Sequence, residues 1–169
     1  VKIPVALAMR YGSISIKKGI KELYDSGVKE IVVLPLYPHY AMSSYETVVE
    51  KVKEEVKNNF PNVNLKIVSP FYKEKNYINL LCNKIKETID KIKYDHILFS
   101  YHGIPISHLK ISDPTNSHCY KVNNCCSTSS DAHRFCYKHQ VLETTEAVVK
   151  KLKIDRDKYS NAFQSRLPN

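Results

Sequence analysis

The chain has 169 residues, of which 43% are hydrophobic, so it is long enough to bury the core of an ordinary globular domain. Its formal net charge of +9 comes mostly from lysines scattered over helical faces, whereas only four residues are arginines, a distribution that disfavours a nucleic-acid interface. No apolar run approaches the roughly 20 residues of a membrane-spanning helix, so we expect at most peripheral contact with a membrane.

We expect no secretory signal at the beginning of the chain, because Val1–Leu7 has the composition of a strand. The chain does not begin with Met, which indicates a fragment or a chain trimmed at its start. Its five cysteines do not make an even disulfide framework. We therefore expect reduced thiols in a cytoplasmic protein.

Short apolar runs alternate with longer amphipathic segments. Strands are predicted over Ile3–Met9, Ile31–Leu36, Leu65–Ser69, Ile97–Tyr101 and Tyr159–Ser165. Helices are predicted over Ile14–Ser26, Ser43–Asn59, Asn76–Lys91 and Cys136–Leu152. Strands that alternate with helices indicate an α/β fold, here a three-layer sandwich with a mainly parallel sheet.

Two of the predicted helix ends carry capping signals. Gly27 directly follows the first helix and is expected to end it. Ser43 or Ser44 is the expected N-cap of the second helix, with Glu46 completing a capping box.

A stretch of roughly 30 residues without periodicity follows the fourth predicted strand, and such a segment inside a compact domain is usually functional or disordered. We therefore divide the chain into a first α/β portion (residues 1–102), a cysteine-rich insert (residues 103–133), and a helix and strand that open a second α/β portion (residues 134–169).

The most informative segment is Ser-Tyr-His-Gly-Ile-Pro, at residues 100–105. It continues an apolar strand, so His102 is expected where the strand runs out into a loop. Ligands bind at the carboxyl ends of strands in open α/β sheets. A neutral imidazole there can accept a proton or hold a metal, and Gly103 and Pro105 favour a sharp exit that leaves the ring facing a crevice.

Polar and aromatic residues also follow the first two predicted strands. Arg10 and Tyr11 come directly after the first strand, and Tyr37, His39 and Tyr40 come after the second. In a parallel sheet these residues are expected at the same end as His102.

Four of the five cysteines are crowded together at Cys119, Cys125, Cys126 and Cys136, separated by five, zero and nine residues. Thiolates so close together suit zinc or an iron–sulfur cluster. Adjacent cysteines are awkward for one tetrahedral ion, because neighbouring side chains diverge in extended backbone. A [2Fe–2S] cluster offers two separate metal centres, which eases that geometry, and zinc is the alternative.

Three histidines flank these cysteines, at His118, His133 and His139, and could substitute as ligands, more naturally for zinc. The remaining alternative is a loop with free thiols. The fifth cysteine, Cys82, lies on the apolar face of a predicted helix and is expected in the core.

Four segments agree, in order and spacing, with one family. They are Ala-Met-Arg-Tyr-Gly-Ser at residues 8–13, Leu-Pro-Leu-Tyr-Pro-His-Tyr at residues 34–40, Ser-Tyr-His-Gly-Ile-Pro at residues 100–105 and Ala-Phe-Gln-Ser-Arg at residues 162–166. Together they resemble the ferrochelatases, which insert ferrous iron into a porphyrin. The resemblance covers essentially the whole chain and implies a chelatase-like fold of flavodoxin-like half-domains, incomplete at both ends.

The resemblance implies roles for several residues. His102 would be the catalytic residue, as proton acceptor or as ligand of the Fe²⁺ substrate. Substrate-binding residues would be Arg10, Tyr11, Tyr37, His39, Tyr40 and Ser100. The partner would be protoporphyrin or coproporphyrin, whose flat ring needs apolar and aromatic walls, and Arg10 can pair with a propionate. Some ferrochelatases carry a [2Fe–2S] cluster on cysteines of an internal segment, so the resemblance favours [2Fe–2S] over zinc at Cys119, Cys125, Cys126 and Cys136.

Members of this family are about twice as long as the chain, and the glutamate that faces the active-site histidine lies in the carboxyl-terminal part that is not represented here. We therefore expect the 169 residues alone to be inactive. Two alternatives remain open: a chelatase for another tetrapyrrole and metal, such as cobalt, and a non-catalytic module that binds iron–sulfur or zinc.

Overall fold

The computed structural model describes residues 3–164 and has an α/β architecture. Its helices, α1 to α5, span Ile16–Asp25, Thr47–Asn59, Lys75–Ile89, Ile106–Ile111 and Tyr137–Leu152. Its strands, β1 to β4, span Glu30–Val33, Asn64–Ile67, Ile97–His102 and Tyr159–Gln164. Within the described part, β1 pairs with β2 and β3 pairs with β4, both in parallel. The predicted α/β class with parallel pairing is confirmed.

The chain divides into two compact units. Among the described residues, the first contains residues 3–37 and 42–70, and the second contains residues 38–41 and 71–164. The three-part division expected from the sequence stays a prediction.

In the first unit, α1 and α2 bury their apolar faces against the β1–β2 pair. The N-cap of α1 is Ser15, whose hydroxyl accepts from the N–H of Lys18 at 3.2 Å, and the chain leaves the helix through Gly27 at a φ of 86°. A positive φ is costly for residues with a Cβ, so Gly27 ends this helix as expected. The core of this unit consists of Ile16, Ile20, Ile31, Val52, Val56, Phe60 and Val63.

In the second unit, α3 packs beside α5, with Ile78, Cys82 and Val148 in a buried cluster that also contacts Phe99 of β3. Cys82 is 2% exposed, so its expected place in the core is confirmed. Helix α5 begins at Tyr137, one residue after the predicted start, and ends where predicted.

The prediction of a first strand at Ile3–Met9 is wrong, because this segment forms no strand. The backbone of this segment makes one isolated bridge, from Met9 to Ser15, and Val5 and Leu7 are 85% and 64% exposed. An extended apolar segment becomes a strand only when a neighbouring strand takes up its backbone N–H and C=O groups, and β1 and β2 pair with each other instead.

The predicted capping box of α2 is also wrong. Residues Met42–Glu46 form a π-helical turn, and Glu46 has helical dihedrals with no capping hydrogen bond from its side chain. The hydroxyl of Tyr45 donates to the carbonyl of Val68 at 2.9 Å. This tertiary contact stabilises the π-helical turn at residues where the local sequence favours a helix N-cap.

The insert is more ordered than its lack of periodicity suggests. It contains α4, which follows Pro105 and buries Leu109, and the first residues of a 3₁₀ helix at Asp131–Phe135. Both are too short to produce a periodic pattern. At the other end, β4 confirms the last predicted strand as far as Gln164, while Ser165 and Arg166 of the Phe-Gln-Ser-Arg motif lie outside the described residues.

Candidate functional site

His102 is the last residue of β3, and its side chain is exposed. Side chains along β3 alternate between half-buried and exposed, as the two-residue period of a strand requires. Ser100 therefore lies exposed on the same face as His102, whereas Tyr101 faces the opposite way. Gln164 of β4 is the register partner of His102.

The residue that directly follows His102 has to be glycine. The N–H of Gly103 donates to the carbonyl of Gln164 at 2.6 Å. A Cβ built on Gly103 would lie 2.8 Å from that carbonyl oxygen, closer than real Cβ atoms approach. Because Gly103 has no side chain, its backbone can lie this close to the carbonyl of Gln164.

On the opposite face of β3, Tyr101 is held by a hydrogen-bond chain. Its hydroxyl lies 2.8 Å from the hydroxyl of Thr145, which donates to the side-chain oxygen of Asn161 at 2.8 Å. Burial raises the pKa of Tyr101, so its phenol stays protonated at neutral pH. The hydroxyl of Tyr137, at the start of α5, contacts the backbone of His102.

His39 is anchored to α5 through its ring. Its Nε2 lies 2.9 Å from the hydroxyl of Thr144, which donates to the carbonyl of Tyr72 at 3.0 Å, so the imidazole is the donor in the first contact. The rings of Tyr101 and Tyr137 lie edge-on to it, at 6.0 and 5.9 Å between centroids. Burial lowers the pKa of His39 to about 4, so the ring is neutral at pH 7.

Tyr40 is buried beside His39. Its backbone N–H donates to the side-chain oxygen of Gln140 at 2.7 Å, and its ring lies edge-on to Phe135 at 5.3 Å. Among the residues that sequence reasoning expected near His102, the second unit thus contains His39, Tyr40 and Ser100.

The first unit holds the other expected substrate-binding residues. Arg10 donates through Nε to the hydroxyl of Thr47 at 3.2 Å, and its guanidinium lies 4.8 Å from the ring centroid of Tyr11. Tyr11 is 75% exposed and Tyr37 is 38% exposed. Arg10 and Tyr11 therefore present a cation beside an open aromatic face.

Three of the four clustered cysteines lie in the insert, and the fourth, Cys136, is the N-cap of α5. Cys119 and Cys136 are buried, and Cys125 and Cys126 are half-buried. The Cys136 thiol lies in hydrogen-bond contact with the thiols of Cys119 and Cys126. Among residues 3–164, no three or more His, Cys, Asp or Glu side chains are arranged to hold a single metal ion.

Cys136 is the acceptor in this group of thiols. A hydrogen bond from Cys126 lowers the pKa of Cys136 to about 6, against the effect of burial and with help from the N–H of His139, which lies 3.4 Å from the sulfur. Burial, followed by the charge of Cys136, raises the pKa of Cys119 to about 12. The hydrogen bond to Cys136 and then burial raise the pKa of Cys126. The pKa of Cys136 is therefore the lowest in the group that it forms with Cys119 and Cys126.

A buried carboxylate, which sequence reasoning missed, organises the loop before Cys119. One oxygen of Asp113 accepts from the backbone N–H groups of His118 and Cys119, at 2.9 and 2.8 Å, and the other accepts from the N–H and hydroxyl of Thr115. Burial alone would raise the pKa of Asp113, but these four donors hold it well below its usual range. The Asp-Pro-Thr sequence at residues 113–115 is a turn signal that could have revealed it.

A cavity of about 380 Å³ lies beside the loop that follows His102. Gly103, Ile104, Tyr137 and Lys138 are among its lining residues, and the Lys138 ammonium lies 5.0 Å from the ring centroid of Tyr120, which also lines the cavity. Apolar walls with a cation at one side suit an amphipathic anion.

Comparison with known proteins agrees with this geometry. The family model for ferrochelatase matches residues 1–169. The ferrochelatase of Opitutus terrae is 44% identical over 164 residues, covering 97% of this chain and 47% of the relative. Those of Pseudomonas fluorescens (strain Pf0-1) and Pseudomonas syringae pv. tomato are 39% and 37% identical, covering 97% of this chain and 48% of each relative. The chain thus spans about half the length of the curated relatives it matches, and it belongs to the ferrochelatase family.

Proposed function

We propose that this chain is the part of a ferrochelatase that brings His102 to the porphyrin, in an enzyme that inserts Fe²⁺ to form haem or its precursor. The observation that carries the proposal is the exposed imidazole of His102 at the carboxyl end of a parallel strand. None of the helices among residues 3–164 is long and apolar enough to cross a membrane. The cluster of reduced thiols favours a reducing compartment such as the cytoplasm.

Metal insertion requires that two pyrrole protons leave the macrocycle and that the iron loses its water ligands. A neutral imidazole can accept a proton or bind iron, but it does not do both through one nitrogen at the same moment. Strand β3 and the close approach at Gly103 fix the backbone of His102, so the ring moves only about its own side-chain torsions.

We propose that Arg10, Tyr11, Tyr37 and Ser100 contact the porphyrin directly. The Arg10 guanidinium would pair with a propionate, and the exposed ring of Tyr11 would contact the macrocycle. His39 and Tyr40 would shape the wall of the site from within the second unit, because their rings pack against Tyr137 and Phe135.

We further propose that Cys119, Cys125, Cys126 and Cys136 hold a [2Fe–2S] cluster. The support is the donor set: the thiols of Cys119 and Cys126 each contact that of Cys136, and the fourth cysteine is adjacent in sequence to Cys126. All-thiolate donor sets suit iron–sulfur clusters, and zinc is the alternative metal. When bound, the cluster would cross-link the insert and supply folding free energy that a loop of this size lacks.

Replacement of His102 by alanine in the full-length protein tests the proposed activity. We expect iron insertion to fall by about 10²- to 10⁴-fold, the usual contribution of a positioned acid–base group, while porphyrin still quenches intrinsic fluorescence with similar affinity. The matched control is His96→Ala, at the residue directly before the same strand, which should keep activity within about threefold of the unchanged protein. Unchanged insertion by the His102 variant would contradict the proposal.

The same assay separates the remaining alternatives. Faster insertion of Co²⁺ than of Fe²⁺ under anaerobic conditions would identify a cobalt chelatase. Metal binding without any insertion would identify a non-catalytic module. We expect residues 1–169 alone to show no insertion at a normal rate, because they span about half of the relatives' length.

A further inference from the structure

Three imidazoles converge on the backbone of the Cys125–Cys126 pair. The Nε2 atoms of His118 and His133 lie 2.7 and 2.8 Å from the carbonyl oxygen of Cys125. The Nδ1 atom of His139 lies 2.8 Å from the carbonyl oxygen of Cys126. A carbonyl only accepts, so each of these ring nitrogens carries the proton.

The three rings form one group, which we call the imidazole stack (His118, His133 and His139). The rings of His133 and His139 are parallel at 3.6 Å between centroids with an interplanar angle of 11°, and those of His118 and His133 meet edge-on at 5.3 Å. The members come from the loop before the cysteine pair, the 3₁₀ helix after it and the first turn of α5. The stack therefore ties three separate segments to one dipeptide.

Holding two successive carbonyls restricts the backbone on both sides of Cys126. Each carbonyl lies in a rigid peptide plane, so the planes before and after Cys126 are fixed, and with them the direction of its Cα–Cβ bond. Cys125 accepts two imidazole donors, one for each lone pair of its carbonyl oxygen. The side chains of Cys125 and Cys126, which diverge in extended backbone, are thereby held in one relative orientation.

We propose that His118, His133 and His139 are positioning residues that present the thiols of Cys125 and Cys126 to the metal group, and that they are not metal ligands. This inference rests on the proposed cluster at the four cysteines. It is supported by the donor pattern, because the ring nitrogens that face the dipeptide donate to the carbonyl oxygens of Cys125 and Cys126 and are therefore not free to bind a metal. Outer contacts of this kind change metal affinity by about 10- to 100-fold.

The test uses the full-length protein with pairs of substitutions that differ only in the donor. The side-chain amide of glutamine can place an N–H where Nε2 lies, so His118→Gln and His133→Gln retain the contact with Cys125, whereas His118→Leu and His133→Leu remove it. His139→Asn and His139→Leu form the corresponding pair for Nδ1. The control is His96→Leu, which lies outside the insert. The Nε2 atom of His96 is 3.0 Å from the hydroxyl of Ser160.

After anaerobic reconstitution with iron and sulfide, we expect the leucine variants to lose their visible cluster absorption to a chelator about 10- to 100-fold faster than the unchanged protein. The amide variants and the His96 control should stay within about threefold. Equal loss in leucine and amide variants would overturn the positioning role. X-ray absorption of the iron edge should show sulfur ligands alone, and imidazole scattering would equally overturn the inference.

A measurement on the metal-free protein keeps the two proposals separate. The leucine variants should raise the rate at which Cys125 and Cys126 react with a disulfide reagent by about tenfold or more, because the dipeptide is released, while the amide variants should not. If the unchanged protein assembles no cluster, the cluster proposal fails, and this thiol contrast still decides whether the imidazoles position the cysteines. An unchanged rate in the leucine variants would refute the positioning role.

Discussion

The carbonyl of Gln164 occupies the space that a Cβ on Gly103 would enter. Because that contact is with backbone and not with a flexible side chain, Gly103→Ala has to push the ends of β3 and β4 apart. We expect a loss of about 1–3 kcal/mol in the free energy of unfolding, the usual range for forced overpacking. Urea denaturation measures it. The control is Gly12→Ala, where no atom lies within 4 Å of the added Cβ but φ is positive, so its cost comes from backbone strain alone.

His39 makes the stability of the second unit depend on pH. The pKa of His39 is about 4 in the folded protein and about 6.5 when the ring is unconfined, so between these values the unfolded chain binds more protons. Stability contributed by the neutral ring is therefore complete above pH 6.5 and is lost as the pH falls towards 4. Lowering the pH from 7 to 5 should cost about 1–2 kcal/mol through this residue.

The variant His39→Gln isolates that effect, because its amide retains a donor for Thr144 but does not titrate. The stability difference between the unchanged protein and His39→Gln should shrink as the pH falls, measured by urea midpoints at pH 7, 6 and 5. A difference that is independent of pH would show that His39 is not the group that titrates.

Asp113 supports the loop that carries the first cysteine. In Asp113→Asn one oxygen becomes an NH₂ group, which faces either the N–H donors of His118 and Cys119 or those of Thr115, so two donors lose their acceptor. We expect the free energy of unfolding to fall by about 2–3 kcal/mol and the amides of His118 and Cys119 to exchange hydrogen faster. Asp131→Asn, an exposed position in the 3₁₀ helix, is the control. Unchanged exchange at both amides would show that the carboxylate does not order this loop.

The sequence predicts well those helices and strands whose apolar residues recur at a regular spacing. Helices α3 and α5 and strand β3 begin or end within a residue or two of the expected positions, because each carries an apolar face that local spacing reveals. Ile3–Met9 has the composition of a strand but no strand partner, and pairing is a property of two segments and not of one.

In the candidate site too, the features that local sequence encodes could be predicted, and the contacts between distant segments could not. His102 could be placed at a strand end from the sequence, since a glycine and a proline follow within three residues of it. The contacts of His39 with Thr144 and of Tyr40 with Gln140 join residues about 100 positions apart, and no local pattern encodes them. The role of the three histidines depends on where three separate segments of the chain meet, so spacing alone left them open as ligands.

On the scale of the whole molecule, each unit leaves large apolar side chains in contact with solvent. In the first unit, Val32, Leu34 and Leu36 occupy alternate positions along and beyond β1 and are 60%, 54% and 72% exposed. Alternate residues of an extended segment point the same way, so these three form one apolar row. Rows of this kind mark surfaces that associate with other protein.

We therefore expect the 169-residue protein, purified by itself, to self-associate at micromolar to millimolar concentration. Leu34→Lys with Leu36→Lys should shift sedimentation velocity towards the monomer, because two charges interrupt the row without touching the buried core at Ile31. Lys53→Leu, on an exposed position of α2, is a control for the change in charge and should leave the association no weaker. Sedimentation that is unaffected by the double substitution would mean that association, if observed, uses another surface, and a monomer at all concentrations would contradict the expectation outright.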